Sequence, residues 1–266
     1  MSHFRTLEIS DSAYENDGLK FLTIKSQNLH GRGNVCLFVP ENTQDFSRLP
    51  IYILLHGVYG SAWSWALKGG AHKTAKTLME NQDIAPAIIA MPSDGLWGDG
   101  SAYLRHNGKD FEKWIVSDVP RAINEVLSCT NSQSPICLAG LSMGGFGAFL
   151  LGVRNASKIS AISAHSAITQ FKDLSNYVEE PLASYDLEHK NLDVLESCIK
   201  YKNNLPPIRF DCGMEDPLLG ANRHLHHELA KHKIPHVYEE FKGDHEWSYW
   251  KEHLKKTLLY FNHILK

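Results

Sequence analysis

Short apolar runs recur along the chain, separated by longer stretches with helical spacing. Residues 21–25 and 35–39 are β-type runs on either side of a turn region holding Gly31 and Gly33, and they predict an antiparallel opening pair. Residues 51–55 are apolar throughout and end at His56-Gly57; residues 87–91 stop at Pro92; residues 136–139 run into Gly140. Residues 159–163, 208–212 and 236–241 are further predicted strands. Uninterrupted apolar runs suit strands that are covered on both faces. Helical patterns alternate with them over 71–81, over roughly 110–128 (with Ile115, Val119, Ile123 and Leu127 on one face), from about Met143, and over about 246–263. This alternation predicts an α/β protein: a mostly parallel, doubly wound sheet with antiparallel N-terminal strands and helices on both faces. A barrel of eight β/α units fits the antiparallel start less well. The stretch from about 166 to 205, with Phe171, Tyr177, Pro181 and Tyr185, breaks the rhythm. It predicts a partly helical, cap-like insertion at the sheet's C-terminal edge, where ligands bind in such folds. Residues 1–266 are otherwise expected to form one domain.

Charge and cysteine content narrow the function classes. The 27 Lys and Arg residues against 30 Asp and Glu leave a net charge of −3, so no basic excess exists to release counterions from a nucleic acid. The five cysteines, Cys36, Cys129, Cys137, Cys198 and Cys212, are odd in number and lack Cys-x-x-Cys spacing. That argues against a disulfide scaffold or a zinc ribbon, and for buried thiols in a reducing compartment. No apolar run has membrane-spanning length, and residues 1–8 lack a signal-peptide core, so a cytoplasmic protein without a membrane partner is expected. A homo-oligomer stays open. His224, His226 and His227 cluster on a predicted helix, but His227 and His232 are five apart and face different ways, so no metal site is expected. Gly108-Lys109 is followed by Asp110 rather than Ser or Thr, and no dinucleotide fingerprint follows a strand, so no cofactor is expected.

The candidate chemistry lies at Gly140-Leu141-Ser142-Met143-Gly144, a Gly-x-Ser-x-Gly stretch between an apolar strand and a helix rich in small residues. A serine on a tight strand-to-helix turn needs tiny neighbours two before and two after, and the turn aims the helix N-terminus at a developing oxyanion. A serine hydroxyl needs a base, and in this arrangement the acid follows in the chain and the histidine comes last. Asp216 follows the 208–212 strand and His245 follows the 236–241 strand. His245 would take the Ser142 proton while Asp216 holds the ring. Asp211, inside a strand, and Glu215 and Asp244, loop carboxylates, are the rival acids. The loop His56-Gly57-Val58-Tyr59-Gly60 would supply the second oxyanion N–H, from Val58 with Tyr59 as the competing choice, beside Met143 as the first. Tyr59, Trp97 and Trp247, near loop ends, are candidates to line a substrate pocket, with Trp63 and Trp65 close by.

The stretches Leu54-Leu55-His56-Gly57, Met91-Pro92-Ser93-Asp94-Gly95, the elbow from Ala139 to Ala148, Cys212 to Leu219 and His245-Glu246-Trp247 span most of the chain. On these residues the sequence resembles the α/β-hydrolase esterases that include esterase D (S-formylglutathione hydrolase), feruloyl esterases and the mycolyltransferases. The resemblance implies an α/β-hydrolase fold and a carboxylesterase-type serine hydrolase acting on a small-molecule ester. It implies Ser142, Asp216 and His245 as triad, with Val58 and Met143 at the oxyanion. Phe146 follows the elbow's double glycine, where S-formylglutathione hydrolases carry a histidine. An acyltransferase or thioesterase with the same triad is the main alternative, and a non-catalytic binding protein on this scaffold is a more distant one.

Overall fold

The computed structural model describes residues 3–185 and 193–266. Among the described residues eleven strands follow one another: β1 (Leu7–Ile9), β2 (Leu19–Ser26), β3 (Gly31–Phe38), β4 (Ile51–Leu55), β5 (Ile88–Pro92), β6 (Arg105–His106), β7 (Lys109–Asp110), β8 (Ile136–Leu141), β9 (Ile159–His165), β10 (Ile208–Gly213) and β11 (Val237–Phe241). The short β6–β7 hairpin stands alone. The other nine strands form one sheet in the order β1-β2-β3-β5-β4-β8-β9-β10-β11. Pairing is antiparallel from β1 to β5 and parallel from β5 to β11. The chain turns one way from β4 to β5 and the other way to β8, so the reversal of strand order lies at β4. In open α/β sheets ligands bind at such a switch point, beyond the C-terminal strand ends.

The period-two alternation of strand side chains builds a core on each face. Ile51, Ile53 and Leu55 of β4 point to one side, into a core with Leu138, Phe149 and Phe210. Tyr52 and Leu54 point to the other side, with Cys137, Ala139 and Phe261. The first core is covered by α3 (Phe111–Lys113), α4 (Val119–Val126), α5 (Met143–Arg154), α6 (Val194–Lys200) and α7 (Leu219–Lys231). The second is covered by α1 (Ser64–Leu67), α2 (Ala71–Glu80) and α8 (Trp247–Leu265). Among the described residues no helix is long and apolar enough to cross a membrane, and all five cysteines are buried as free thiols.

Two departures from the sequence pattern have physical reasons. The single helix expected over 110–128 is α3 and α4 joined by a π-helical turn over 114–118. Pro120 lacks the N–H that a regular helix would give to the Val116 carbonyl, and the wider turn before it accommodates the loss. Strand β1 has three partly exposed residues and so leaves no apolar run to detect. Between β9 and β10 the described residues form 3-10 turns at Phe171–Asn176, Leu182–Tyr185 and Lys202–Asn204, together with α6. Residues 186–192 of the expected insertion lie outside the described residues.

One buried ionic cluster ties the parallel end of the sheet to α8. Arg209 of β10 reaches Asp211 at 2.6 Å and Glu239 of β11 at 2.8 Å. Asp211 also meets His165 Nδ1 at 3.0 Å and accepts from the Tyr249 hydroxyl at 2.8 Å. Burial pushes the Asp211 carboxyl up, but His165, Arg209 and Tyr249 outweigh it and hold it down at about 2. Because the folded value is depressed, this stabilisation is complete above the ordinary carboxylate range and is lost as pH falls toward 2. Replacing Asp211 by Ala leaves Arg209 and His165 short of their buried partner and is expected to destabilise the fold by about 3–5 kcal/mol. Urea unfolding measures this, and a loss below about 1 kcal/mol would remove the cluster from the account of stability.

Candidate active site

The elbow is built by exclusion. Ser142 joins β8 to α5 at φ 54° and ψ −118°, a left-handed backbone that a side chain rarely adopts. A methyl group at Gly140 would run into the Gly144 carbonyl, and one at Gly144 into the carbonyls of Leu55 and His56. Only glycines let β8, α5 and the end of β4 approach so closely. Hydrogen bonds then hold the turn: Ser142 N–H donates to His165 O at 3.0 Å, and Ser142 O accepts from Phe146 N–H at 3.1 Å and Ile168 N–H at 3.2 Å.

Two further loops meet the elbow. Beyond β10, Asp216 N–H donates to Gly213 O at 3.2 Å, and Asp216 Oδ1 accepts from Leu218 N–H at 2.8 Å. Its other oxygen, Oδ2, lies 2.9 Å from His245 Nδ1. His245 Nε2 lies 3.0 Å from Ser142 Oγ. A carboxylate only accepts, so Nδ1 carries the proton and donates to Asp216, leaving Nε2 to accept from the Ser142 hydroxyl. Burial pushes the Asp216 carboxyl up, yet the hydrogen bond and charge of His245 outweigh it and hold it below the ordinary carboxylate range. The imidazole is also walled by Tyr177, stacked at 6.1 Å, and by Trp250, edge-on at 5.0 Å.

The rival acids have other tasks. Asp211 serves His165 and Arg209 inside the sheet. Glu215 accepts from Gly243 N–H at 2.6 Å and its own N–H donates to Gly243 O at 3.0 Å, fastening the acid loop to the histidine loop. Asp244 accepts from His245 N–H at 2.7 Å. The loop after β4 lies against the elbow: a methyl at Gly57 would stand 3.3 Å from Ser142 Cβ. Tyr59 N–H is already given to Asp99 O at 2.8 Å, which leaves Val58 N–H as the donor open to a ligand. Met143 is the first residue of α5, where N–H groups have no intrahelical acceptor.

The three aromatic candidates are placed differently. Tyr59 is exposed, and its hydroxyl donates to the Tyr177 carbonyl. Trp97 packs edge-on against His106 and Tyr185, each at 4.7 Å, so it braces the segment after β9. Trp247 stacks edge-on with Trp65 at 5.5 Å and Trp250 at 5.4 Å. Tyr177 beside His245, and the pairing of His56 with the Asp94 backbone, are not legible in the sequence, because residues far apart in the chain carry no local signal of contact. The His226 ring on α7 shares a hydrogen bond with His236 at 2.8 Å, and among the described residues no three His, Cys, Asp or Glu side chains are gathered as a metal would require.

The Esterase family model matches residues 26–261. The chain belongs to this esterase family. It is 25% identical to an acetyl esterase of Caldicellulosiruptor saccharolyticus over 239 residues, 83% of this chain and 86% of that one. It is 23% identical to an S-formylglutathione hydrolase of Arabidopsis thaliana over 199 residues, 68% of each chain. In fold it is similar to a ferulic acid esterase, with a TM-score of 0.78 at 21% identity, covering 99% of this chain and all of that one. The fold is accordingly the α/β-hydrolase fold, and the protein is a carboxylesterase-type hydrolase. The hydrogen bond to Asp216 keeps the His245 proton on Nδ1. Asp216→Asn should therefore fold normally and lose about 10⁴-fold in kcat. Steady-state ester hydrolysis checks this, and near-wild-type turnover would transfer the acid's role to another carboxylate.

Proposed function

We propose that the protein hydrolyses carboxylic esters through an acyl-Ser142 intermediate, with Asp216 and His245 completing the triad and Val58 and Met143 supplying the oxyanion donors. The observation that carries this reading is the unbroken hydrogen-bonded line from Ser142 Oγ to His245 to Asp216. Ser142 Oγ attacks the ester carbonyl carbon while its proton passes to His245 Nε2. The carbonyl electron pair moves onto oxygen, facing the Val58 and Met143 N–H groups. When the tetrahedral species collapses, the C–O bond to the alcohol breaks and His245 returns the proton to the leaving oxygen. Water then repeats the sequence: it gives a proton to His245, its oxygen bonds to the acyl carbon, and Ser142 leaves as the hydroxyl on recovering that proton. The acetyl esterase relative directs the first substrates to short acyl groups. Tyr177, from the described insertion residues, stacks on the His245 ring and so helps to wall the site. Five buried thiols without a disulfide agree with a reducing, cytoplasmic setting.

A fluorophosphonate probe and short p-nitrophenyl esters test the reading together. The wild type should hydrolyse the esters and carry the probe on Ser142. Ser142→Ala should lose the label and about 10⁶-fold in kcat, as removal of a serine nucleophile does elsewhere. A folded wild type that neither turns over nor labels at Ser142 would refute the proposal.

A further inference from the structure

The Gly57–Val58 peptide carries one of the two proposed oxyanion donors, and something must fix which way it faces. A trans peptide points its C=O and N–H in opposite directions, and no peptide bond is cis among the described residues. Holding Gly57 O on one side therefore presents Val58 N–H to the other. Gly57 O is held twice: by His56 Nδ1 at 2.7 Å and by Gly60 N–H at 3.3 Å.

The His56 ring cannot choose another role. Its Nε2 accepts from Asp94 N–H at 3.0 Å. A backbone N–H only donates, so Nε2 is unprotonated, the proton is on Nδ1, and Nδ1 must donate to Gly57 O. The ring is buried and packed against Gly60, where a methyl would run into Nδ1. Its own backbone is pinned by the Tyr103 hydroxyl, which donates to His56 O at 3.0 Å.

Asp94 in turn is fixed by the loop it organises. Its carboxylate accepts from Leu96 N–H at 2.9 Å and Ser101 N–H at 2.6 Å, and Ser101 Oγ donates to its carbonyl at 2.7 Å. That loop presents Asp99 O, which captures Tyr59 N–H at 2.8 Å. The turn is thus gripped on both sides of Val58: Gly57 by His56, and Tyr59, at φ 58°, by the Asp94 loop.

Resting on the acyl-serine reading, we infer that His56, braced by the backbone of Asp94, is a positioning residue that aims Val58 N–H at the developing oxyanion. It touches neither substrate nor Ser142, and it acts through the Gly57–Val58 peptide. Its loss should raise the barrier and leave ground-state binding alone, because the oxyanion donor matters most when charge develops.

His56→Asn and His56→Gln separate the two ring nitrogens. Asn places an N–H donor near the Nδ1 position, whereas Gln places its amide near Nε2 and gives Gly57 O nothing. For p-nitrophenyl acetate, His56→Gln is expected to lose about 10- to 100-fold in kcat with KM within about 3-fold, and His56→Asn to stay within about 5-fold of wild type. The inhibition constant of an acetyl-length trifluoromethyl ketone, which forms the tetrahedral oxyanion on Ser142, should weaken in proportion to kcat across the series. Gly60→Ala, which crowds the same ring, should reproduce the kcat loss and keeps the test decisive if His56→Gln does not fold. Unchanged kcat in folded His56→Gln or Gly60→Ala, or equal losses in the Asn and Gln variants, would overturn the inference. A wild type that neither hydrolyses the ester nor labels at Ser142 would instead refute the acyl-serine reading itself.

Discussion

Ser142 sits in a backbone region that costs a non-glycine residue about 1–3 kcal/mol, and it persists there only because its surroundings leave no alternative. Gly140 and Gly144 let β8 and α5 close on each other and on the end of β4. His165 and Ile168 clamp the serine's own N–H and C=O. The consequence is geometric: the hydroxyl stands clear of the sheet at the switch point, and the start of α5 is directed at the same space. Every other part of the site is arranged relative to that one turn.

The carboxylates and histidines divide into sets that do not exchange roles. Asp216 and His245 lie in line with the serine, while Asp211, just before Asp216 on β10, and His165 on β9 face inward to Arg209, Tyr249 and Thr257. Both aspartates are held below the ordinary carboxylate range by partners that outweigh burial. Position relative to the strand end separates them. Asp211 is inside β10, where its neighbours are sheet side chains, and Asp216 is on the loop beyond it, where the histidine loop can reach. His56 forms a third set, with its ring nitrogens bonded to the backbone of Gly57 and Asp94.

Much of the fold is legible in the sequence because the central strands are covered on both faces and read as unbroken apolar runs. Residues 51–55, 87–91 and 136–139 lie close to the observed β4, β5 and β8. The edge strand β1 and the β6–β7 hairpin are not legible, since short, half-exposed strands carry no such signature. The π turn before Pro120 interrupts a pattern that otherwise reads as one helix. At the site, the convergence of Ser142, Asp216 and His245 follows from each lying just beyond a parallel strand, where topology brings their loops together. Contacts between loops are a different matter. Nothing local in Tyr177 marks it as the neighbour of His245, and nothing local in Trp97 marks its packing against His106 and Tyr185.

The central claim is that turnover passes through a covalent bond to Ser142. Acid-quenched mass spectrometry of the enzyme during turnover of an acetyl ester, followed by peptide mapping, tests it most directly. The account predicts one acetyl group, carried on Ser142 and absent once substrate is exhausted. Turnover with the acetyl group on another residue, or undiminished turnover by Ser142→Ala with no acylated species, would contradict it.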